Sequence, residues 1–299
     1  MKISALIFAY NRKEHLLSAV RSALDQTLDR SKYEIIVIKN FKDDCIDSYL
    51  CENHIKIFMS DGTIGEYIEQ GIKEAGGNII CFLDDDDLFV KNKLEIVFKE
   101  FIKNNELCYY HNNFDSITNG IDPIKIKNKA PDFNMSCISI NLDKINISDI
   151  RDVTTSPDTF MYLRALDSGN KIICGKEKLT KYRVHNSTSN SYASNFTDFN
   201  FINQKYIKHI LENFDMFSKM IKTKKAKHYL DAQITNWNIS LYTYNFEKRP
   251  YKIMNFIMYN RVSISNTISK LLIYVMIKLH FTRFILYIQK KRYNNQIRI

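Results

Sequence analysis

Over the first hundred residues the apolar positions switch repeatedly between two periods, and this alternation constrains the fold more than any other feature. The runs ISALIFAY (3–10), EIIVIK (34–39), IKIFM (55–59) and NIICFL (78–83) are short and almost continuously apolar, as strands buried on both faces require. Between them the spacing is helical: Leu17, Val20 and Leu24 share one face, as do Leu94, Val97, Phe98 and Phe101. The stretch IGEYIEQGIKEAGG ends in a glycine pair suited to closing a helix. Strand, helix, strand, helix with short connections predicts an α/β fold, with right-handed crossovers and a mostly parallel sheet covered by helices on both faces.

Residues 105–195 are less regular and rich in Asn, Asp, Ser and Thr, with apolar pieces such as CISI and KIICG. They read as an extension of the sheet carrying long functional loops. From about residue 196 the pattern turns helical: Phe199, Ile202, Tyr206, Ile210, Phe214, Phe217 and Ile221 recur three or four residues apart. The expected organisation is one α/β domain over 1–195 and a helical region over 196–299.

The fourth apolar run leads into CFLDDDDLF (81–89), four consecutive carboxylates behind a buried strand. Like charges this close repel one another and lose solvation where they are buried, so they require either water or a cation. Ligands of parallel α/β sheets gather at the carboxyl ends of the strands, and closely spaced carboxylates suit a hard divalent cation. Two readings follow. In aspartate-nucleophile phosphatases a strand leads into Asp-x-Asp-x-Thr; here Asp84 would be the nucleophile, but Leu88 stands where the Thr belongs and three strands precede this one.

The other reading covers more of the chain. FAYNR (8–12), ALDQT (23–27), EIIVI (34–38), GIKEAGG (71–77) and FLDDDDLFVKNKLE (82–95) resemble, in order and spacing, the inverting nucleotide-sugar glycosyltransferases of family 2. TSPDTFMYLRAL (155–166) and YRVHNSTS (182–189) continue the likeness to about residue 190. The resemblance implies a GT-A fold, with nucleotide-sugar binding in 1–115 and the acceptor and catalytic part in 116–195. It assigns Tyr10 to stacking on the donor base and Asp84 to the ribose. Asp86 becomes the ligand of Mg2+ or Mn2+, His185 a partner in holding the metal or diphosphate, and Asp158 the general base. Arg12, Asn40 and Arg183 complete the donor site; Asp87 orders the turn and Asp85 is left facing solvent. Asp158 follows Pro157 at a helix start, so it is equally placed to cap that helix.

Two segments depart from the family pattern. KNFKDD stands where DDGS is usual, so the acid contacting the base is replaced by Asn40 or displaced to Asp43 or Asp44. Ile68 and Glu69 stand where Arg-Asn is usual. A nucleotide- or glycan-binding protein of transferase descent, without turnover, is the reading these changes motivate.

Charge adds a second feature. Residues 248–299 hold eleven Lys or Arg and no Asp or Glu, leaving 32 basic against 33 acidic residues in the rest of the chain. The net charge of +10 therefore belongs to the C-terminal segment. No nucleic-acid motif accompanies it, and its longest apolar run, Leu271 to Ile277, is far below the roughly 20 residues that span a bilayer. Cations among Leu, Ile and aromatic residues point to peripheral membrane contact through 250–299. The six cysteines form no close pairs and read as buried free thiols in a reducing compartment. The expected setting is cytoplasmic, on the membrane face. The expected partners are a nucleoside-diphosphate-sugar donor and a saccharide or lipid-linked glycan acceptor.

Overall fold

The structure, a computed structural model, describes residues 1–117, 134–184, 193, 195–246, 251–259 and 264–297. Contacts divide the chain into two compact units, Met1–His185 and Asn186–Ile299.

In the first unit the four apolar runs form β1 (Ile3–Ala9), β2 (Tyr33–Lys39), β3 (Lys56–Met59) and β4 (Ile79–Asp84), all in parallel register. Helices α1 (Leu16–Leu24), α2 (Asp44–Glu52) and α3 (Ile64–Glu74) make the crossovers. After β4 come a short β5 (Leu88–Phe89), α4 (Lys93–Lys103), β6 (Leu107–Ile117), β7 (Ile138–Asn141), α5 (Pro157–Ser168) and β8 (Lys171–Arg183). The eight strands form one sheet in the order β3-β2-β1-β4-β7-β6-β8-β5.

Every residue of β1 is buried, because both faces of the strand are covered. Ile3, Ala5, Ile7 and Ala9 join the α1, α2 and α4 side, where Leu16, Val20, Leu50, Leu94 and Val97 pack. The alternate residues face α3, and Phe8 stacks on Phe82 of β4 at 6.2 Å. The period-2 geometry of a strand thus explains why an unbroken apolar run is needed here.

Beyond β4 the sheet is mixed, although β6 and β8 again pair in parallel. β7 runs antiparallel to both β4 and β6, and β5 is antiparallel to β8. A parallel neighbour for β4 would need another crossover helix; β7 instead follows the 3₁₀ turn Met135–Cys137 and enters from the opposite end. The ISI of CISI and all of KIICG do become strand residues, in β7 and β8, while Cys137 ends the 3₁₀ turn. Of the six free cysteines, Cys81, Cys108 and Cys137 are buried, but Cys45, Cys51 and Cys174 are exposed, so the expectation of buried thiols holds for half of them.

The second unit consists of α6 (Phe196–Met220), α7 (Lys224–Asn245), α8 (Ile253–Tyr259), α9 (Ile264–Lys278) and α10 (Thr282–Ile297). Asn195 caps α6 by accepting from the Asp198 amide, and Thr223 caps α7 by accepting from Ala226. Phe199, Ile210, Phe214 and Phe217 bury the predicted stripe of α6, whereas Tyr206 lies exposed with its ring edge against Trp237. The basic segment is not a loose tail: Ile273 and Ile277 of α9 and Ile285 of α10 form an apolar cluster with Ile239 and Tyr242 of α7.

One glycine fixes a close approach in the first unit. A Cβ on Gly65, in the first turn of α3, would lie 2.1 Å from the Ile150 carbonyl oxygen and 2.5 Å from that of Val153, and the Gly65 amide already donates to Val153. Backbone carbonyls cannot rotate away as a side chain would. Gly65→Ala is expected to destabilise the first unit by roughly 1–3 kcal/mol, read as a lower thermal midpoint.

Candidate active site

The parallel register of β1 and β4 pairs Phe8 with Asp84, so the chain leaving β1 and the chain leaving β4 emerge side by side. From β1 the backbone turns through Tyr10, Asn11 and Arg12. Asn11 has φ 55°, a left-handed conformation that Asn tolerates better than most residues. Asn40, just past β2, holds this turn by reciprocal bonds: its Oδ1 accepts from the Asn11 amide at 2.8 Å, and its Nδ2 donates to Asn11 Oδ1 at 2.7 Å. Tyr10 is left 57% exposed with its ring edge against Tyr67, so an aromatic face is open to a planar group. Asp43, one candidate for the displaced acid, caps α2 and pairs with Lys13 at 2.8 Å. Ile68 is buried, and Glu69 pairs with Lys73.

Across from this turn the four carboxylates have different surroundings. Arg12 bridges Asp85 and Asp86, reaching Asp86 Oδ2 at 2.6 Å. Asp85 is 3% exposed, which corrects the expectation that it faces solvent: it is the inner partner of Arg12. Burial works against the Arg12 charge, but the bond to Asp85 and the charge of Asp86 outweigh it and hold its pKa above the ordinary value. Asp87, also buried, accepts from the Arg183 amide at 2.8 Å and from Asn134 Nδ2 at 3.1 Å. It ties the turn to β8, as its expected ordering role requires.

Arg183 is placed by the same turn, its Nε donating to the Asp86 carbonyl at 2.8 Å. The Asp84 amide donates to Ser136 Oγ at 2.9 Å, while its carboxylate, with those of Asp86 and Asp87, presents oxygens within 4.8 Å of one another. Burial, then the charges of Asp87, Asp86 and Asp85, push Asp84 well above the usual carboxylate range. Burial and the charge of Asp86 bring Asp87 to about 6, against the opposing bonds from Arg183, Ser136 and Asn134.

An all-oxygen, anionic donor set whose members disfavour one another's charge suits a hard cation. Asp84, Asp86 and Asp87 would hold it, with Arg12 as the cation already present beside them.

Asp158 stands on a different element. It occupies the first turn of α5, one residue after Pro157, and its Oδ1 accepts from the Thr159 amide at 2.7 Å. Ser156, not Asp158, is the residue at the helix cap position. Burial raises the Asp158 pKa despite that bond, and a partly buried carboxylate held by a helix start can accept a proton. His185 lies outside the described residues.

Sequence reasoning missed several supports of the site. Lys93, in the first turn of α4, is fully buried; its Nζ bonds the Ser136 carbonyl and, at 3.0 Å, Thr180 Oγ1, and lies 4.2 Å from the centre of the Phe89 ring. Burial lowers its pKa to about 8. Tyr182 of β8 is pushed up to about 12 by burial and by the charges of Asp87, Asp86 and Asp84. The segment YRVHNSTS pointed to this strand, but nothing marked a helical lysine as buried.

The Glycosyl transferase family 2 model matches residues 4–168. That is over half of the chain, and the chain belongs to this family. An uncharacterized glycosyltransferase of Rickettsia conorii is 36% identical over 122 residues, which cover 39% of this chain and 20% of that protein; the chain thus spans about a fifth of the length of such Rickettsia relatives. UDP-Glc:alpha-D-GlcNAc-diphosphoundecaprenol beta-1,3-glucosyltransferase WfgD of Escherichia coli is 26% identical over 206 residues, 63% of this chain and 79% of WfgD. Among solved structures, S. aureus TarS 1–349 in complex with UDP-GlcNAc superposes with a TM-score of 0.58 at 14% identity, covering 100% of this chain and 92% of that one. The likeness in structure establishes the GT-A fold with a helical C-terminal region.

The raised pKa of Asp87 has a thermodynamic consequence. Its folded form binds a proton more tightly than the ordinary Asp near 3.9, so the associated stability is complete below that value and is lost as pH rises through about 6. The expected loss is on the order of 2–3 kcal/mol. In metal-free buffer, Asp87→Asn should therefore lose less thermal stability than wild type between pH 4 and pH 7; equal slopes would remove the burial assignment.

Proposed function

We propose that the chain is a metal-dependent inverting glycosyltransferase that moves a sugar from a nucleoside diphosphate to a hydroxyl of a saccharide or lipid-linked glycan. The observation that carries this reading is the carboxylate cluster at the end of β4 in a family 2 GT-A domain, with a second, separately held carboxylate at Asp158. Residues 1–115 bind the donor, with Tyr10 stacked on the base and Asp84 on the ribose; residues 116–195 supply the acceptor side, and His185 joins Asp86 at the metal. Asn40 acts through the turn it holds.

In the proposed reaction the acceptor oxygen forms a bond to the anomeric carbon as the bond to the diphosphate breaks on the opposite face. The acceptor proton passes to the Asp158 carboxylate. Mg2+ or Mn2+, held by Asp84, Asp86 and Asp87, would neutralise the departing diphosphate. Arg12 and Arg183 lie beside the same turn and add fixed positive charge there. Attack from the opposite face in one step inverts the anomeric configuration.

A lipid-linked acceptor is supported by the name of WfgD, whose acceptor carries diphosphoundecaprenol, and by the C-terminal helices. No described helix is long and apolar enough to cross a membrane. On α9, however, Ile268, Leu272 and Val275, with Leu279 just past its end, form an exposed stripe at helical spacing, opposite the buried Ile273 and Ile277, and Phe284 and Tyr287 are exposed on α10. Apolar side chains flanked by Lys278, Arg283 and Lys290 suit the interface of an anionic bilayer. We place the protein on the cytoplasmic membrane face.

Two substitutions separate the roles. Asp86→Ala should abolish metal-dependent binding of a nucleotide sugar, measured by calorimetry with and without Mn2+. Asp158→Asn should keep that binding and lose transfer by roughly 10²–10⁴-fold; normal transfer would reject Asp158 as the base. Release of free phosphate without nucleoside diphosphate, on incubation with sugar nucleotides and sugar phosphates, would overturn the transferase reading in favour of a phosphatase. Leu279→Glu, at a 60% exposed position, should weaken co-sedimentation with anionic vesicles without unfolding the protein. Unchanged sedimentation would remove the membrane assignment.

A further inference from the structure

The helical unit contains partly buried positive charge that no carboxylate among the described residues neutralises. Lys270 of α9 places its ammonium against α7, donating to the Asn236 carbonyl at 3.3 Å and to the Ser240 hydroxyl. One turn further along α7, Arg292 of α10 donates to Thr243 Oγ1 at 3.3 Å and to the Tyr244 hydroxyl at 3.4 Å. All four acceptors are neutral. Burial, and then the charge of Arg292, lower the Lys270 pKa to about 7, so the two cations are close enough to disfavour each other.

A buried cation is ordinarily paired. Here no acidic residue follows Glu247 in the chain, and Asp231 on α7 is engaged by Lys252 at 2.7 Å and Asn255 at 3.1 Å. Among the described residues no carboxylate pairs with Lys270 or Arg292. A second observation points the same way. Gln289, three residues before Arg292 and therefore on the same face of α10, is 1% exposed, and neither its Nε2 nor its Oε1 has a partner among the described residues. The side-chain oxygen of Asn236 is likewise buried without a donor. Unmet polar groups of this kind are costly unless something binds them.

We propose that Lys270, Arg292 and Gln289 form a binding site for a phosphate-type dianion in the helical unit. Two cations balance a double negative charge, and the ammonium, guanidinium and amide donors together outnumber what one carboxylate accepts but match the oxygens of a phosphate. The site is separate from the strand-end carboxylates and does not depend on the transferase reading. The phosphate belongs either to a lipid headgroup or to a soluble molecule.

Calorimetric titration of the full chain with inorganic phosphate, in EDTA and at constant ionic strength, tests the site, with Lys270→Met and Arg292→Gln alongside. Saturable binding that each substitution weakens roughly tenfold or more is the expected result. No saturable binding, or equal affinity in all three proteins, overturns the proposal; equal affinity is also what phosphate bound at Arg12 would give. Lys270→Met nearly conserves volume, and should it fail to fold, the partly exposed Arg292→Gln decides alone. Sedimentation with phosphatidic acid and with phosphatidylcholine vesicles then separates the sources. Loss of phosphatidic acid binding in both variants assigns a lipid headgroup, whereas unchanged vesicle binding with lost phosphate binding assigns a soluble phosphate.

Discussion

The bridge from Arg12 to Asp85 and Asp86 is the interaction on which the strand-end site depends. Four adjacent carboxylates at the mouth of a sheet would repel one another apart, and two of them, Asp85 and Asp87, are almost wholly buried. Arg12 can meet them only because β1 and β4 are neighbours in parallel register, and because Asn11 turns left-handed with Asn40 holding it. The charge of the cluster is thus divided. Asp85 is committed to Arg12 and Asp87 to the amide of Arg183, while Asp84 and Asp86 stand between these fixed points. A cation bound there, as proposed, would meet carboxylates whose positions are already set, which would lower the reorganisation it must impose.

Much of this was legible because it is written locally. Continuous apolar runs reported strands buried on both faces, three- and four-residue spacing reported the helices, and the position of the aspartates after the fourth run placed them at a ligand-binding edge. What was not legible arises from pairs far apart in the chain. Asp85 reads as an idle member of a charge run until Arg12, 73 residues earlier, is brought beside it. Lys93 lies in an amphipathic helix, where a lysine ordinarily reaches solvent. Its burial follows from β8, whose Thr180 hydroxyl offers it an acceptor, and from the Ser136 carbonyl. The antiparallel β7 escaped for the same reason, since no local signal states from which end a four-residue strand enters.

The departures from the family pattern also acquire physical content. Asn40, standing where an acid is usual, is occupied by the Asn11 backbone and side chain, and Asp43 is occupied as a helix cap with Lys13 beside it. Neither is free in the way a base-contacting carboxylate would be, whereas Tyr10 remains open. In the proposed donor site, selection would therefore rest more on the aromatic face and on the diphosphate end than on an acidic contact to the base. Ile68 fits the same picture, being part of the packing beneath α3.

The second unit applies the opposite electrostatic logic. At the strand end, an excess of negative charge is met by an arginine and by backbone amides; in the helices, Lys270 and Arg292 are met, among the described residues, only by hydroxyls and a carbonyl. Hydroxyls and carbonyls can orient a cation but cannot neutralise it, and Arg292 adds to the charge that Lys270 already carries into the interior. With no acid after residue 247 in this sequence and none paired with these two cations among the described residues, the proposed phosphate would supply the balancing charge. The same composition that makes the exposed face of α9 suited to an anionic surface therefore makes the interior beside it suited to an anion.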